Sequence, residues 1–304
     1  MTAVSTSAFY DRARMEMGGL RARAEDLQAA IGRGERLTRS SDDPVAASRL
    51  RGLMRSENHA AIDMSNAGLA SADLQLADGA LSQFTSFVIR AQELATQAAT
   101  GTLNADQRAA IGQELALMHS NLLATANGRN AAGHALFGGN TAAQAYTIEV
   151  TGNAVYAGSP SAGELALGDG LSVGRGITGP DFLDFTHNGV PTNLLAVVKG
   201  LANALQGGVA DPASAARDAL GALETGLDSV SAGQTIIGAR LAWIDLTTER
   251  RIDLSELRAG EQADLGGTDL AATMTRLQEI MTVLEASQAS FAKLSSLSLL
   301  DVLR

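Results

Sequence analysis

The residues able to do chemistry are few and scattered. Four histidines, His59, His119, His134 and His187, are the candidates for a general base or a metal ligand, but no two form a close pair and no His-Glu-x-x-His motif is present. There is no cysteine, so thiolate nucleophiles, thiolate metal sites and disulfides are all absent. Gly168-x-Gly170, followed by Gly174 and Gly176, is loosely similar to a phosphate loop. A phosphate loop opens a helix whose free amides hold the anion, however, and short strands surround these glycines, so they read as turns. Serines are abundant, and none is read as held in a Gly-x-Ser-x-Gly elbow that would make it a nucleophile. Adjacent Asp42 and Asp43 could share a proton as an acid pair, yet Pro44 follows them directly. Proline suits the first helical position and a preceding aspartate caps the free amides, so this stretch reads as a helix start. No catalytic, cofactor or metal site emerges, and the chain is not read as an enzyme.

The elements around these residues say more. The chain has 304 residues, 45% hydrophobic and 18% charged, with aromatics at 4%. Such a chain can bury a sizeable core, and alanine in so many apolar positions favours closely packed helices. A net charge of −10 argues against nucleic acid or an anionic membrane as the main partner. No apolar stretch reaches membrane-spanning length and no signal-peptide pattern opens the chain, so these features alone read as cytoplasmic.

Periodicity predicts a helix over about 8–31 with Met17, Leu20, Ala24, Leu27 and Ile31 on one narrow stripe. After Asp42-Asp43-Pro44, helical pattern runs to about Thr100. Ala67, Leu74, Leu81, Val88 and Ala95 are spaced by seven, as are Ala70, Ala77, Phe84, Ala91 and Ala98, which is a coiled-coil seam. Unbroken, this run would be roughly 80 Å long, although Gly52, Gly68 and Gly79 are points where it could break. Asn104 caps a return helix to about Ala126. From Asn127 the texture turns to glycine and short apolar runs. Tyr146–Val150 and Val155–Ala157 read as a β-hairpin, followed by short strands near Glu164–Leu167 and Leu171–Val173.

Helical pattern resumes at Pro191 to about Gln206 and again after Asp211-Pro212, where Leu220, Leu223, Leu227, Val230, Ile237, Leu241 and Ile244 form a stripe that includes Gln234. Trp243, beside that stripe, is assigned to core or inter-subunit packing. Gly266-Gly267 breaks the chain, and Thr268 or Asp269 caps a last helix with Leu270, Met274, Leu277, Met281, Leu284, Phe291, Leu294 and Leu297 along it. The fold class is thus mainly α with a small β-rich insert, an elongated antiparallel helical bundle or coiled-coil rod with its N- and C-terminal helices paired. The domains read as 1–43 with 266–304 (terminal helices), 44–132 with 190–265 (helical rod) and 133–189 (β insert).

Three stretches then carry a resemblance. Ile31-Gly32-Arg33-Gly34 through Ser41-Asp42-Asp43-Pro44-Val45-Ala46-Ala47, Asn127-Gly128-Arg129-Asn130-Ala131-Ala132-Gly133 with Leu136-Phe137-Gly138-Gly139, and 285–300 resemble signatures of the flagellin family, within it those of members at the hook–filament junction. The likeness covers both terminal thirds and not the insert, about 141–188. It departs from flagellins proper at Pro44-Val45, where they usually carry alanines, and at His134-Ala135. The resemblance implies a structural flagellar protein exported without a cleaved signal peptide, which replaces the cytoplasmic reading with an extracellular one after a transient cytoplasmic pool. It also implies a homo-oligomeric ring, contact with a hook-side junction protein (hook-associated protein 1) and with flagellin, and a cytoplasmic export chaperone. Met17, Leu20, Leu27, Ile31, Leu270, Met274, Leu277, Met281, Leu284, Phe291, Leu294 and Leu297 are then the candidate assembly seams. A minor flagellin is the alternative; an enzyme working through the β insert and an intracellular coiled-coil scaffold are the readings from other classes.

Overall fold

The computed structural model describes residues 2–37, 39–100, 102–150 and 152–302, with side chains described between 8 and 294. Seven α-helices dominate it: α1 (Thr2–Arg33), α2 (Pro44–Ala99), α3 (Ala105–Ala126), the single turn α4 (Pro180–Leu183), α5 (Leu194–Asn203), α6 (Pro212–Gly266) and α7 (Leu270–Val302). Six short strands pair as three separate antiparallel hairpins: β1 (Tyr146–Ile148) with β2 (Ala154–Tyr156), β3 (Glu164–Gly168) with β4 (Leu171–Gly174), and β5 (Asp184–His187) with β6 (Val190–Asn193). The chain divides into two compact units, 1–58 with 254–304, and 59–253.

In the second unit, α2 supplies the floor. Every residue of the two heptad rows is buried, Ala67, Leu74, Leu81, Val88 and Ala95 in one and Ala70, Ala77, Phe84, Ala91 and Ala98 in the other. The alanines let neighbouring elements approach closely while Leu74, Leu81 and Phe84 supply buried area. Phe84 is the centre of an aromatic cluster with Phe137 and Phe182, whose ring centroids lie 6.4 and 5.3 Å away. The corresponding face of α6 buries Ala216, Leu223, Val230, Ile237 and Ile244. Gly233 of α6 lies where an added Cβ would sit 3.0 Å from Phe182 Cβ, so a larger residue there would press on the cluster. α3 and α5 pack on each other and bury Leu115, Met118 and Leu122 with Leu194, Leu195 and Val198.

Helix ends follow local chemistry. Asn104 accepts from Gln107 N at 2.8 Å while Gln107 Oε1 accepts from Asn104 N at 3.0 Å, a reciprocal capping box that starts α3. Asp211 Oδ1 accepts from Ala213 N and Ser214 N at the start of α6. The Asn127–Gly133 stretch works as a hinge pin for the insert. Asn127 exchanges two hydrogen bonds with the backbone of Tyr146, at 3.0 and 2.8 Å, fixing β1 to the end of α3. Asn130 Oδ1 accepts from Ala132 N and His134 N, and its Nδ2 donates to Asp73 of α2.

Two expectations need correction. Pro191 does not start a helix: it lies in β6, and α5 begins at Leu194 with Asn193 accepting from Ala196 N at 2.8 Å. The signal for that hairpin is Asn188-Gly189, with φ of 50° and 76°, the left-handed pair that a two-residue turn demands. Trp243, assigned to core or inter-subunit packing, is 39% exposed and so lies outside the core of this unit, which leaves the other half of that reading open. Gly52, Gly68 and Gly79 do not break α2, which runs unbroken over 56 residues.

A buried ion pair joins three elements of this unit. Arg251 of α6, 8% exposed, donates to Asp63 of α2 at 2.8 Å, and Gly168 of the β3–β4 turn lies against both. Gly168 has φ of 82°, and a Cβ there would overlap the Asp63 carboxylate and the Arg251 guanidinium. Gly170 has φ of 77° and open space around it. Gly170→Ala is expected to cost only the left-handed strain, about 1 kcal/mol, and Gly168→Ala at least about twice that because it also disturbs a buried pair. Thermal unfolding of the two variants checks the order.

Candidate assembly surface

The first unit is built from α1, α7 and the adjoining ends of α2 and α6. Its joints are polar. Arg36 N donates to Gly266 O at 2.8 Å and Thr268 N to Gly34 O at 3.0 Å, so the turn after α1 is stitched to the break between α6 and α7. Gly34 takes φ of 71° to make that turn. Arg36 also donates to Leu265 O and pairs with Asp43 at 3.5 Å. Asp43 caps α2 through Ala46 N at 3.0 Å, and Asp42 accepts from Arg39 N at 2.8 Å, so this pair acts as cap and turn. Asp269 caps α7 through Ala272 N. Between α2 and α6, Arg49 holds Glu261 with two hydrogen bonds at 2.5 and 3.0 Å, and Glu57 accepts from Ser255 at 2.6 Å.

The charges of this clasp are tuned accordingly. The Ala46 amide, and then Arg36, hold the Asp43 carboxyl below its ordinary value; Arg49 does the same for Glu261.

α1 and α7 pair along their lengths, antiparallel: Tyr10 meets the Phe291 ring edge-on at 5.4 Å, Met17 and Leu284 line one cleft, and Leu27 and Thr273 another. Tyr10 Oη also donates to Leu294 O at 3.3 Å. Met17, Leu20, Leu27 and Ile31 of α1 are half-buried, as are Leu277, Leu284 and Phe291 of α7. Leu270, Met274, Met281 and Leu294 are exposed, at 52, 60, 50 and 46%. The side chain of Leu297 lies outside the described residues. The row that α7 keeps half-buried includes Ile280 in place of Met281; the spacing Thr273, Ile280, Ser287 against Leu277, Leu284, Phe291 carries that register. None of the candidate seam residues with a described side chain is fully buried, so the pair presents apolar area along both helices.

Among the described residues no group of His, Cys, Asp and Glu could hold a metal ion. A cavity beside the insert, lined by Asp73, Asn130, His134, Asn140 and Arg175, has about 120 Å³, below the several hundred that small-molecule sites enclose. The reading that no serine stands in a Gly-x-Ser-x-Gly pattern needs correction: Gly170 to Gly174 is one, but Ser172 sits in β4 donating to Glu164 at 2.6 Å with no helix after it, so it is no nucleophile elbow. No described helix is long and apolar enough to cross a membrane.

With the geometry in place, comparison with known proteins gives a consistent result. The sequence pattern of the bacterial flagellin N-terminal helical region matches residues 4–142, from α1 through the pin that opens the insert. Over that stretch the chain is similar to the flagellin family. Flagellar hook-associated protein 3 of Escherichia coli (strain K12) is 27% identical over 285 residues, 88% of this chain and 89% of that protein. The protein of the same name from Salmonella typhimurium is 28% identical over 189 residues, 62% of this chain and 59% of its own length. The fold is shared with the flagellar junction protein FlgL from Legionella pneumophila, at a TM-score of 0.60 and 16% identity, covering 72% of this chain and 100% of that one.

Two outcomes follow from this geometry. Amides in α1 and α7 are expected to exchange at least about tenfold faster in dilute monomer than those around Phe84, since a half-buried seam protects less than a closed core; equal protection at both places would sink the idea that the terminal pair is the loosely held part. Carboxyls held low in the fold stabilise it above their ordinary values, 3.8 for Asp43 and 4.5 for Glu261, and that contribution is lost as pH falls through the lowered values. The Arg49→Ala variant should therefore lose most of its stability difference from the parent in melts run at acid pH, once Glu261 is protonated in the folded state as well.

Proposed function

We propose that this chain is a structural component of the bacterial flagellum, a junction protein between hook and filament on which flagellin polymerises. The observation that carries it is the antiparallel α1–α7 pair. It is held at one end by the Arg36–Gly266 and Thr268–Gly34 stitches and offers Leu270, Met274, Met281 and Leu294 to solvent. A monomer gains little from such a pair, whereas copies stacked about a common axis would cover it. Support comes from the likeness to hook-associated protein 3 over 88% of the chain. On this reading the seam residues Met17, Leu20, Leu27, Ile31, Leu277, Leu284 and Phe291 set the pairing, and the exposed row meets neighbouring copies in a ring. The partners are then a hook-side junction protein below, flagellin above, and a cytoplasmic chaperone holding α7 before export. The protein works outside the cell by packing and has no catalytic step.

A minor flagellin shares the N-terminal pattern at residues 4–142, so one experiment must separate the two. Deleting the gene should leave hooks without filaments, seen by electron microscopy, with flagellin lost to the medium. Filaments that persist with altered length would make the chain a minor flagellin, and unchanged filaments would remove it from the junction altogether.

A further inference from the structure

We propose that the second unit carries its own self-association surface, in which an uncharged strip on α2 receives a matching strip on α6 of the neighbouring copy, an inference that rests on the ring reading above. The unit spans 59–253 and holds 9 Lys and Arg against 18 Asp and Glu, a net of −9, while the first unit holds 14 against 15. Two copies of so acidic a body repel unless they meet where charge has been removed.

Two such places exist. On α2 from Ala61 to Ile89, a span of roughly 40 Å, every exposed residue is uncharged; the aspartates of that segment, Asp63, Asp73 and Asp78, are half-buried. Within it Ile62, Leu69 and Leu76 repeat every seven residues at 59, 64 and 47% exposure, a second apolar row on a helix whose other rows already fill the core. On α6 the exposed residues from Ser231 to Trp243 are likewise uncharged, with Ile236 and Trp243 seven apart at 41 and 39% exposure.

The glycines of these strips are the second observation. Gly68 and Gly79 on α2 and Gly238 on α6 sit inside long helices, where glycine weakens the helix relative to alanine. A Cβ at any of them would meet nothing within 4 Å, so neither this chain's packing nor its backbone conformation calls for glycine there. Room left open in the monomer suits a neighbour's side chain. Gaps at Gly68, Ala72 and Gly79 beside a leucine row on one strip, and the Ile236 and Trp243 knobs on the other, make two unlike and complementary faces. A closed ring needs that heterologous arrangement, because a self-complementary patch stops at a dimer. The committed occupant of the α2 strip is thus the α6 strip of a second copy.

Because the chain has no cysteine, single thiols can be placed cleanly. Strains carrying Leu69→Cys, Trp243→Cys or both are grown, and their purified flagella are treated with a short bis-maleimide. The double variant should give a ladder of covalent multimers of this chain, co-expressed single variants should give dimers, and each single variant alone should give none. A 69-to-69 dimer, crosslinks to another protein, or no crosslink with the chain present in the flagella would each overturn the proposal. In parallel, Gly68→Leu with Gly79→Leu should leave the melting temperature of the monomer unchanged or raised while cutting copies per flagellum roughly tenfold, a penalty of the size seen when a packed interface position is blocked; undiminished incorporation would also overturn it. Absence of the parent chain from flagella would instead bring down the junction reading itself.

Discussion

The seven-residue repeat of α2 is the constraint on which the rest depends. Ten positions from Ala67 to Ala98 face inward and are buried without exception. Because six of them are alanine, the helices and hairpins laid on α2 sit close, and larger residues are confined to the middle, where Phe84 meets Phe137 and Phe182. A helix with so thin a core face cannot hold a fold alone. It needs α6, α3 and the insert laid upon it, and the aromatic cluster is where α2, the loop at Phe137 and the α4 turn come together. Asp63 and Arg251 extend the same dependence with charge: a guanidinium this buried is tolerable only with its carboxylate beside it and a turn without a side chain above it.

Much of this was legible in the residues because helices announce themselves through spacing and caps. The register of α2, the starts at Asp43-Pro44, Asn104 and Asp211-Pro212, and the break at Gly266-Gly267 are local signals, each satisfied locally in the structure. What could not be read were contacts between residues far apart in sequence. Asp63 and Arg251 look like ordinary surface charges until the fold brings them together. The β5–β6 hairpin is hard to read for another reason: Pro191 looks like a helix opener, while the nearby Asn188-Gly189 turn, the stronger signal, sets the strand pairing first. Along α7 the apolar residues are so frequent that more than one stripe can be drawn. Choosing between Ile280 and Met281 requires knowing where α1 lies.

The two units divide physical labour. One closes a core around aromatic rings and carries nearly all of the net negative charge; the other is almost neutral, fastened by backbone stitches and ion pairs, and leaves the apolar seam residues of α1 and α7 half-buried or exposed. High charge keeps a body soluble and separate, and neutrality with exposed leucine and methionine does the opposite. On the junction reading a subunit travels alone and then stacks, which needs both properties, and this chain places them in different stretches of sequence.

The chain's single tryptophan stands on the surface of α6 instead of in the core. An indole that is already partly wet before unfolding changes its surroundings little when the fold is lost, so intrinsic fluorescence will be a poor thermometer of this protein's unfolding. The same ring will respond strongly to anything that comes to lie against it, which turns an ordinary emission spectrum into a detector of contact.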